Sequence, residues 1–184
     1  MDTDGFEFYP AGEDVLLILT GVGGNAAGYE NKYVKIAENA VKKHGFSVCV
    51  APTPTGIWER PKEHFESVLH FLSGKTGGSG KIYAMGNSAG ATLLIWYSCL
   101  FPQIQRVLAV NPVLNINLDR ANGGVKNFNG EKIEIAAGER DASHTFSQCL
   151  RKSDKVTVTV FAGADHNFTG KTDLFISLPE KFLF

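Results

Sequence analysis

The stretch of residues 81–101, KIYAMGNSAGATLLIWYSCLF, restricts the folds open to this chain more than any other part of the sequence. Residues 82–85 form a short apolar run typical of a buried strand, and the second half of the stretch is apolar nearly throughout, as in a buried helix. Between them lies Gly86-Asn87-Ser88-Ala89-Gly90, a G-x-S-x-G pattern. Its small residues allow a sharp turn from strand to helix, which would hold the hydroxyl of Ser88 in an exposed and strained position.

Apolar runs and helical patterns alternate along the rest of the chain. Runs that predict strands cover residues 6–9, 14–19, 46–50, 106–110, 133–137 and 156–161, and helical spacing covers residues 31–44, 61–72, 142–150 and 173–184. This alternation predicts an α/β fold, a three-layer sandwich in which a mostly parallel sheet carries helices on both faces. The length of 184 residues and the 43% hydrophobic composition suit one core, so we expect a single domain over residues 1–184.

The charge balance excludes several kinds of partner. The net charge is -1 and no segment concentrates Lys or Arg, so we expect no nucleic acid and no membrane as partner. The acidic N-terminal segment lacks the apolar core of a signal peptide, and the longest apolar stretch, within residues 89–101, is too short to span a bilayer. We therefore expect a soluble, cytoplasmic protein. The sequence predicts no particular oligomeric state.

The cysteines indicate neither a disulfide framework nor a metal site. Cys49, Cys99 and Cys149 are odd in number, and each lies beside apolar neighbours in a predicted strand or helix. We expect reduced thiols packed as small core residues. No Cys/His spacing resembles a zinc site, and neither a metal nor a cofactor is predicted.

Three polar side chains follow three of the predicted strands. Ser88 follows one strand, Asp141 lies four residues past another, and His166 lies five residues past the last. In an open parallel sheet the carboxyl ends of the strands share one edge, where loops can carry reactive groups without disturbing the core. A hydroxyl nucleophile, an imidazole base and a carboxylate that orients the imidazole are what acyl transfer by a serine requires.

A glycine-rich loop at residues 21–24 follows the strand at residues 14–19. A backbone N–H in this loop, that of Val22, could act together with the N–H of Ala89. Both donors would then face the oxygen that becomes negative in a tetrahedral intermediate, which would form an oxyanion hole.

With these residues the sequence resembles the α/β-hydrolase family of serine hydrolases, most closely its compact members without a lid domain. The resemblance extends over nearly the whole chain. The nucleophile turn matches at residues 86–90, the acid at Asp141, the histidine at His166 and the oxyanion loop at residues 20–23. It implies Ser88 as the nucleophile and a reaction through an acyl-enzyme.

The sequence departs from this family at two places. Thr20-Gly21 stands where the family often has His-Gly. Only about 20 residues separate Asn111 from Lys132, where members with a cap insert it. Within that segment, residues 115–130 are rich in Asn and Gly, which indicates a surface loop or a frayed short helix. The resemblance therefore implies an open site.

Each candidate residue also has a structural interpretation. Ser88 could be a small turn residue, and Asp141 could cap the helix that follows it, with Glu139 as a rival acid. Asp165 is adjacent to His166, so its side chain would point away from the imidazole. The remaining histidines lie on predicted helices or, for the last of them, too close to Asp141: His44, His64, His70 and His144.

The substrate pocket is less clearly marked. Residues that could line it are Gly23, Trp58, Met85, Asn87, Asn111 and Phe168, although aromatic residues and Met are as often plain core.

The sequence thus predicts a serine hydrolase that cleaves a small acyl ester or thioester through an acyl-Ser88 intermediate. Two alternatives keep the same fold: an amide or peptide hydrolase with the same three residues, and a binding protein without catalysis. A third alternative is a dinucleotide site, because residues 21–26 fit G-x-G-x-x-A after a strand. Gly28 interrupts the helix that should follow, and the next strand is not followed by an acid for a ribose hydroxyl, which opposes this alternative.

Overall fold

A computed structural model of the chain describes residues 5–150 and 153–184. The strands of these two ranges are β1 (Glu7–Tyr9), β2 (Val15–Val22), β3 (Ser47–Thr53), β4 (Ile82–Asn87), β5 (Ile104–Val110), β6 (Lys132–Gly138) and β7 (Val156–Phe161). They form a sheet in the order β1-β3-β2-β4-β5-β6-β7. The pairs are parallel except for β1, which runs antiparallel to β3.

Helices cover both faces of the sheet. They are α1 (Lys32–Asn39), α2 (Pro61–Thr76), α3 (Ala89–Tyr97), α4 (Leu118–Lys126), α5 (Ala142–Ser147) and α6 (Thr172–Phe182). One layer consists of α1 and α6, and the opposite layer contains α2, α3 and α4. The predicted three-layer α/β sandwich is confirmed.

The strand β2 shows how the sequence produces the two layers. Side chains alternate across a strand, so Leu17 and Leu19 pack toward the helices α2 and α3, whereas Leu16 and Ile18 pack toward α1 and α6. All four are fully buried. A central parallel strand is covered on both faces, which is why residues 15–19 are apolar without a break.

The segment of residues 115–130 contains a short helix, α4 (Leu118–Lys126), which is one of the two alternatives that its composition indicates, but this helix is capped and packed rather than frayed. In α4, Asn117 caps the helix by accepting a hydrogen bond from the backbone N–H of Arg120 at 2.9 Å. Gly124 packs directly on α3, because a Cβ at this position would overlap the carbonyl oxygen of Ile95. Glycine therefore serves close helix packing here, and the Gly-rich composition hides a helix whose residues Ala121 and Val125 are buried.

The cysteines are only partly as expected. Cys49 is fully buried in β3, where burial raises the pKa of its thiol to about 12. Cys149, expected in the core within a helix over residues 142–150, is exposed and lies two residues beyond the end of α5 at Ser147. Among the helices of residues 5–150 and 153–184, none combines the length and the apolar character needed to cross a bilayer.

Candidate active site

Ser88 lies at the sharp turn between β4 and α3. Its backbone has φ 54° and ψ −115°, a region that residues with a side chain rarely adopt. A Cβ on Gly86 would lie 2.5 Å from the backbone nitrogen of Ala91, and a Cβ on Gly90 would overlap the carbonyl oxygen of Leu19. The glycines on both sides of the serine are therefore required by close backbone packing.

Hydrogen bonds from the neighbouring strand and helix hold the strained turn. The N–H of Ser88 donates to the carbonyl oxygen of Val110 in β5 at 2.9 Å. Its own carbonyl accepts from both the N–H and the hydroxyl of Thr92, each at 3.0 Å. The Thr92 hydroxyl oxygen also accepts from the N–H of Val113 at 2.8 Å. Thr92 was not among the predicted site residues, although a polar residue in an otherwise apolar helix was a usable signal.

The imidazole of His166 contacts both Ser88 and Asp141. The distance from Nε2 to Oγ of Ser88 is 2.9 Å, and the distance from Nδ1 to Oδ2 of Asp141 is 2.7 Å. The side chain of His166 is 42% exposed and that of Asp141 only 11%, so the imidazole is open to solvent while the carboxylate behind it is shielded. The structure thus brings together the three residues that the sequence marks at strand ends.

Asp141 uses its two carboxylate oxygens for different purposes. Oδ1 accepts from the N–H of Ser143 at 2.8 Å and caps α5, while Oδ2 accepts from His166. The cap and the contact with the imidazole therefore coexist. The loop after β6 and the loop after β7 lie very close together. A Cβ on Gly138 would lie only 2.6 Å from the carbonyl oxygen of Ala164, so only glycine fits at the end of β6.

The other acids in these loops are engaged elsewhere. Oε2 of Glu139 accepts from the N–H of Gly163 at 2.7 Å. Oδ1 of Asp165 accepts from the N–H groups of Asn167 and Thr169, and the bond from Thr169 is the main reason that the pKa of Asp165 is lowered. Asp165 shapes its own loop.

The remaining histidines lie away from Ser88. The ring of His44 packs at a tilt against Phe184 with ring centroids 4.4 Å apart, and His64 is buried in α2, where burial lowers its pKa. His70 is exposed on the same helix, and His144 contacts Gln148 at 3.0 Å.

The end of β2 passes beside the Ser88 turn. A Cβ on Gly21 would lie 3.4 Å from the Cβ of Ser88, and Val22 follows directly. The N–H of Gly23 donates to the carbonyl of Thr53 at 2.8 Å and so does not point into the site. Ala89 is the first residue of α3, and an N–H at this position has no acceptor within the helix. Backbone donors thus flank Ser88 at the end of β2 and at the start of α3.

Thr20, which stands where the resemblance would place histidine, joins β2 to β3. Its Oγ1 accepts from the N–H of Thr53 at 3.0 Å, and its carbonyl accepts from the hydroxyl of Thr53 at 2.8 Å. Both residues are fully buried. These two hydrogen bonds from Thr53 to Thr20 fix the strand end from which the loop of Val22 begins.

Several residues expected in the substrate pocket are core residues instead. Met85 and Phe168 are almost fully buried, and Phe168 packs edge-on against Phe161 and Phe175. The side chain of Asn87 is buried and hydrogen-bonds to the hydroxyl of Tyr33. Those three assignments were wrong because a position in or after a strand does not distinguish a side chain that faces the site from one that faces the core.

Asn111, also expected in the pocket, is completely buried and hydrogen-bonded to the loops of Asp141 and His166, so this assignment was wrong as well. Trp58 is 37% exposed in the loop after β3, and its ring lies 5.8 Å from that of Trp96. Of the expected pocket residues, only Gly23 and Trp58 keep an accessible place in a loop at this edge of the sheet.

A groove of about 510 Å³ lies on the outer side of α3, between α2 and α4. Its walls include Trp96, Tyr97 and Arg120, and none of its lining residues is Ser88, Asp141 or His166. The groove is therefore separate from the three polar residues, which lie at an open edge.

The glycine-rich loop does not have the geometry of a dinucleotide site. β2 ends at Val22, and the next helical residues are a short 3₁₀ turn at Tyr29–Asn31 followed by α1 at Lys32. The loop therefore does not lead directly into a helix N-terminus that could hold a pyrophosphate.

No family model matches the sequence, and no curated protein matches it either. Solved structures do resemble it. Est1E from Butyrivibrio proteoclasticus has a TM-score of 0.74 at 14% identity, covering 99% of this chain and 95% of its own. The mouse α/β hydrolase domain-containing protein 10 has a TM-score of 0.66 at 10% identity, and the match covers 96% of this chain and 92% of the mouse protein. A monoacylglycerol lipase from Paleococcus ferrophilus has a TM-score of 0.64 at 14% identity, and the match covers 94% of this chain and 98% of the lipase. By its sheet order, its helical layers and these similarities, the chain has the α/β-hydrolase fold.

Proposed function

We propose that this chain is a serine hydrolase in which Ser88 is the nucleophile, His166 the general base and Asp141 the group that orients the imidazole. The observation that carries the proposal is the hydrogen-bonded series from Asp141 Oδ2 through both nitrogens of His166 to Ser88 Oγ, with distances of 2.7 and 2.9 Å. A carboxylate only accepts, so Nδ1 carries the proton and Nε2 is left to accept from the serine hydroxyl. This is the tautomer that a base for Ser88 needs.

The first half of the reaction transfers the acyl group to the enzyme. Nε2 of His166 takes the hydroxyl proton while Oγ of Ser88 attacks the carbonyl carbon of the substrate. The protonated imidazole then gives its proton to the departing alcohol or thiol, which leaves acyl-Ser88. In the second half, water loses a proton to the same nitrogen and attacks the acyl carbon. The bond from the acyl carbon to Oγ of Ser88 then breaks, Oγ takes the proton back from His166, and the carboxylic acid is released.

We assign the oxyanion hole to the backbone N–H groups of Ala89 and Val22. The support is that Ala89 begins α3 without an acceptor inside the helix, while Val22 follows Gly21, at which a Cβ would lie 3.4 Å from the Cβ of Ser88. Each donor of this kind contributes about 10²–10³ to kcat when it faces the developing negative oxygen.

The substrate class that the site supports best is a small acyl ester or thioester with an apolar acyl group. Val22, Trp58 and Ile116 are 44%, 37% and 44% exposed, and they lie at the ends of β2, β3 and β5 or in the loops that follow. β2 and β5 flank β4, and β3 lies beyond β2, so these apolar side chains belong to loops that follow strands on both sides of the strand that leads to Ser88. Est1E has been solved with ferulic acid bound, which adds aromatic acyl groups to the substrates to be tested.

Hydrolysis of defined substrates tests the proposal. The panel contains nitrophenyl esters of graded chain length, a hydroxycinnamoyl ester, an acyl thioester and a matched anilide. We expect saturable hydrolysis of the short esters, and a loss of at least about 10⁴-fold in kcat for Ser88→Ala. Cleavage of the anilide alone would indicate an amide hydrolase, and no cleavage of any substrate would favour the binding protein without catalysis. Equal rates for Ser88→Ala and wild type would overturn the assignment of the nucleophile.

A further inference from the structure

Asn111, the first residue after β5, occupies a special position in the backbone. It is completely buried, and its φ of 46° lies in the left-handed region, which Asn and Asp tolerate better than most residues. Its N–H donates to the carbonyl of Ala136 in β6 at 3.0 Å. The side chain therefore points from a fixed backbone into the space between the strand ends.

The side-chain amide of Asn111 uses its full hydrogen-bonding capacity. Nδ2 donates to the carbonyl oxygens of Asp165 and His166 at 3.1 and 2.9 Å. Oδ1 accepts from the N–H of Gly138 at 2.7 Å and from the hydroxyl of Ser143 at 2.9 Å. An amide offers two donors and two lone pairs, so nothing remains for a substrate. The reverse orientation would set Oδ1 against two carbonyl oxygens, so the network fixes which atom is which.

These bonds close a ring that includes the acid and the base. From Asn111 Oδ1 the ring passes to the Ser143 hydroxyl, and the N–H of Ser143 holds Oδ1 of Asp141. Oδ2 of Asp141 holds Nδ1 of His166, whose carbonyl oxygen returns to Nδ2 of Asn111. One buried amide thus ties the loop after β6 to the loop after β7.

We propose that Asn111 is a positioning residue that sets the distance and the angle between Asp141 and His166. This inference rests on the proposed hydrolase, because it assigns Asn111 a part in the same site. Asn111 does not touch the reacting atoms. It acts on the backbone of His166 from one side and, through Ser143, on the carboxylate of Asp141 from the other. Without the hydrogen bonds of Asn111 the imidazole of His166 would be free to rotate, and the distance from its Nε2 to Oγ of Ser88 would increase.

The substitution Asn111→Asp isolates this role. Aspartate has the same shape and also tolerates a positive φ, but its carboxylate removes both donors and faces two carbonyl oxygens. Because the substrate does not contact residue 111, KM should stay near the wild-type value. We expect kcat to fall about 10- to 100-fold, the size of effect that a misplacement of about 1 Å produces. The matched control is Asn117→Asp, the same change at the exposed N-cap of α4, where aspartate caps as well as asparagine.

A readout that does not depend on turnover is the low-field proton resonance of His166 Nδ1–H, assigned by its absence in His166→Ala. We expect it in the wild type and in Asn117→Asp, and we expect it weakened or lost in Asn111→Asp. If Asn111→Asp does not fold, Ser143→Ala opens the ring at one bond, and it should weaken the same resonance and lower kcat severalfold. An unchanged resonance and an unchanged kcat in the folded variant would overturn the role of Asn111. A wild type that shows the resonance but hydrolyses no substrate would instead remove the proposed function.

Discussion

Nε2 of His166 lies 2.9 Å from Oγ of Ser88, although 78 positions separate the two residues in the chain. The contact arises because β4 and β7 belong to the same set of parallel strands, so the segments that follow them meet at one edge of the sheet. The proposed base therefore reaches the proposed nucleophile through the topology of the sheet, and substitutions of Ser88 and of His166 should both slow the transfer of the acyl group.

His166→Ala should lower kcat about 10⁴- to 10⁶-fold without loss of the fold, because no other histidine contacts Ser88 in the described part of the chain. The matched control is His70→Ala, since His70 is exposed on α2. Ester hydrolysis and circular dichroism measure the two properties. If His70 proved indispensable and His166 did not, the assignment of the base would be wrong.

Asp141→Asn should separate the two tasks of this residue. Asparagine still caps α5, so the free energy of unfolding should change by less than about 1 kcal/mol. Its amide donates to Nδ1 and so favours the wrong tautomer of His166, which should lower kcat about 10⁴-fold. Urea unfolding and steady-state kinetics measure the pair of effects. As the control, Glu139→Gln should keep the wild-type kcat, because Glu139 binds the N–H of Gly163 rather than the imidazole. Loss of activity in Glu139→Gln but not in Asp141→Asn would reverse the assignment of the acid.

Gly90→Ala should destabilise the protein by about 1–3 kcal/mol, because the new methyl group overlaps the carbonyl oxygens of Leu19 and Thr20. Gly74→Ala is the matched control, since nothing lies within 4 Å of a Cβ at this exposed position in α2. That change should stabilise the helix by about 0.5–1 kcal/mol. Thermal unfolding of the two variants compares them directly, and equal stability would show that the close packing of the Ser88 turn is not what requires glycine.

The stability of the protein should decrease in mild acid, in part through His64. Its ring is buried edge-on to Phe6 with centroids 6.2 Å apart, and burial lowers its pKa. In the unfolded chain this histidine takes up a proton near pH 6.5, whereas in the folded chain it does so only at lower pH. The unfolded state therefore binds more protons as the pH falls below about 6.5, and the free energy of unfolding decreases.

Urea unfolding at about pH 7.5 and pH 5.5 measures this contribution. His64→Phe should lose less stability between the two conditions than the wild type, and the exposed His70→Phe should lose as much as the wild type. Identical losses in all three proteins would contradict a role for His64.

The local parts of the fold and the site were predictable from the sequence. The turn at Ser88 is encoded within five neighbouring residues, Gly86 to Gly90, and the alternation of apolar runs with helical patterns defines the layers. Asp141 and His166 could be selected because each follows a predicted strand. The parallel topology then places such residues at one edge without further information.

The parts that failed depend on contacts between distant segments. Asn111 was selected as a pocket residue, but only the approach of the loops after β6 and β7 shows that its amide is saturated. Gly124 belongs to a Gly-rich segment that indicates a loop, and only the position of Ile95 shows that this glycine serves close helix packing. Burial of Phe168 depends on Phe175 in α6, a contact that no pattern near residue 168 records.

Reaction of the protein with a fluorophosphonate, followed by intact mass and peptide analysis, tests most directly whether Ser88 is an activated nucleophile. An activated serine attacks the phosphorus, displaces fluoride and keeps the phosphonyl group, whereas an ordinary serine does not react at a comparable rate. We predict that the wild type gains one phosphonyl group on Ser88 and that Ser88→Ala gains none. Labelling that persists in Ser88→Ala, or a wild type that remains unlabelled, would contradict the proposed role of Ser88.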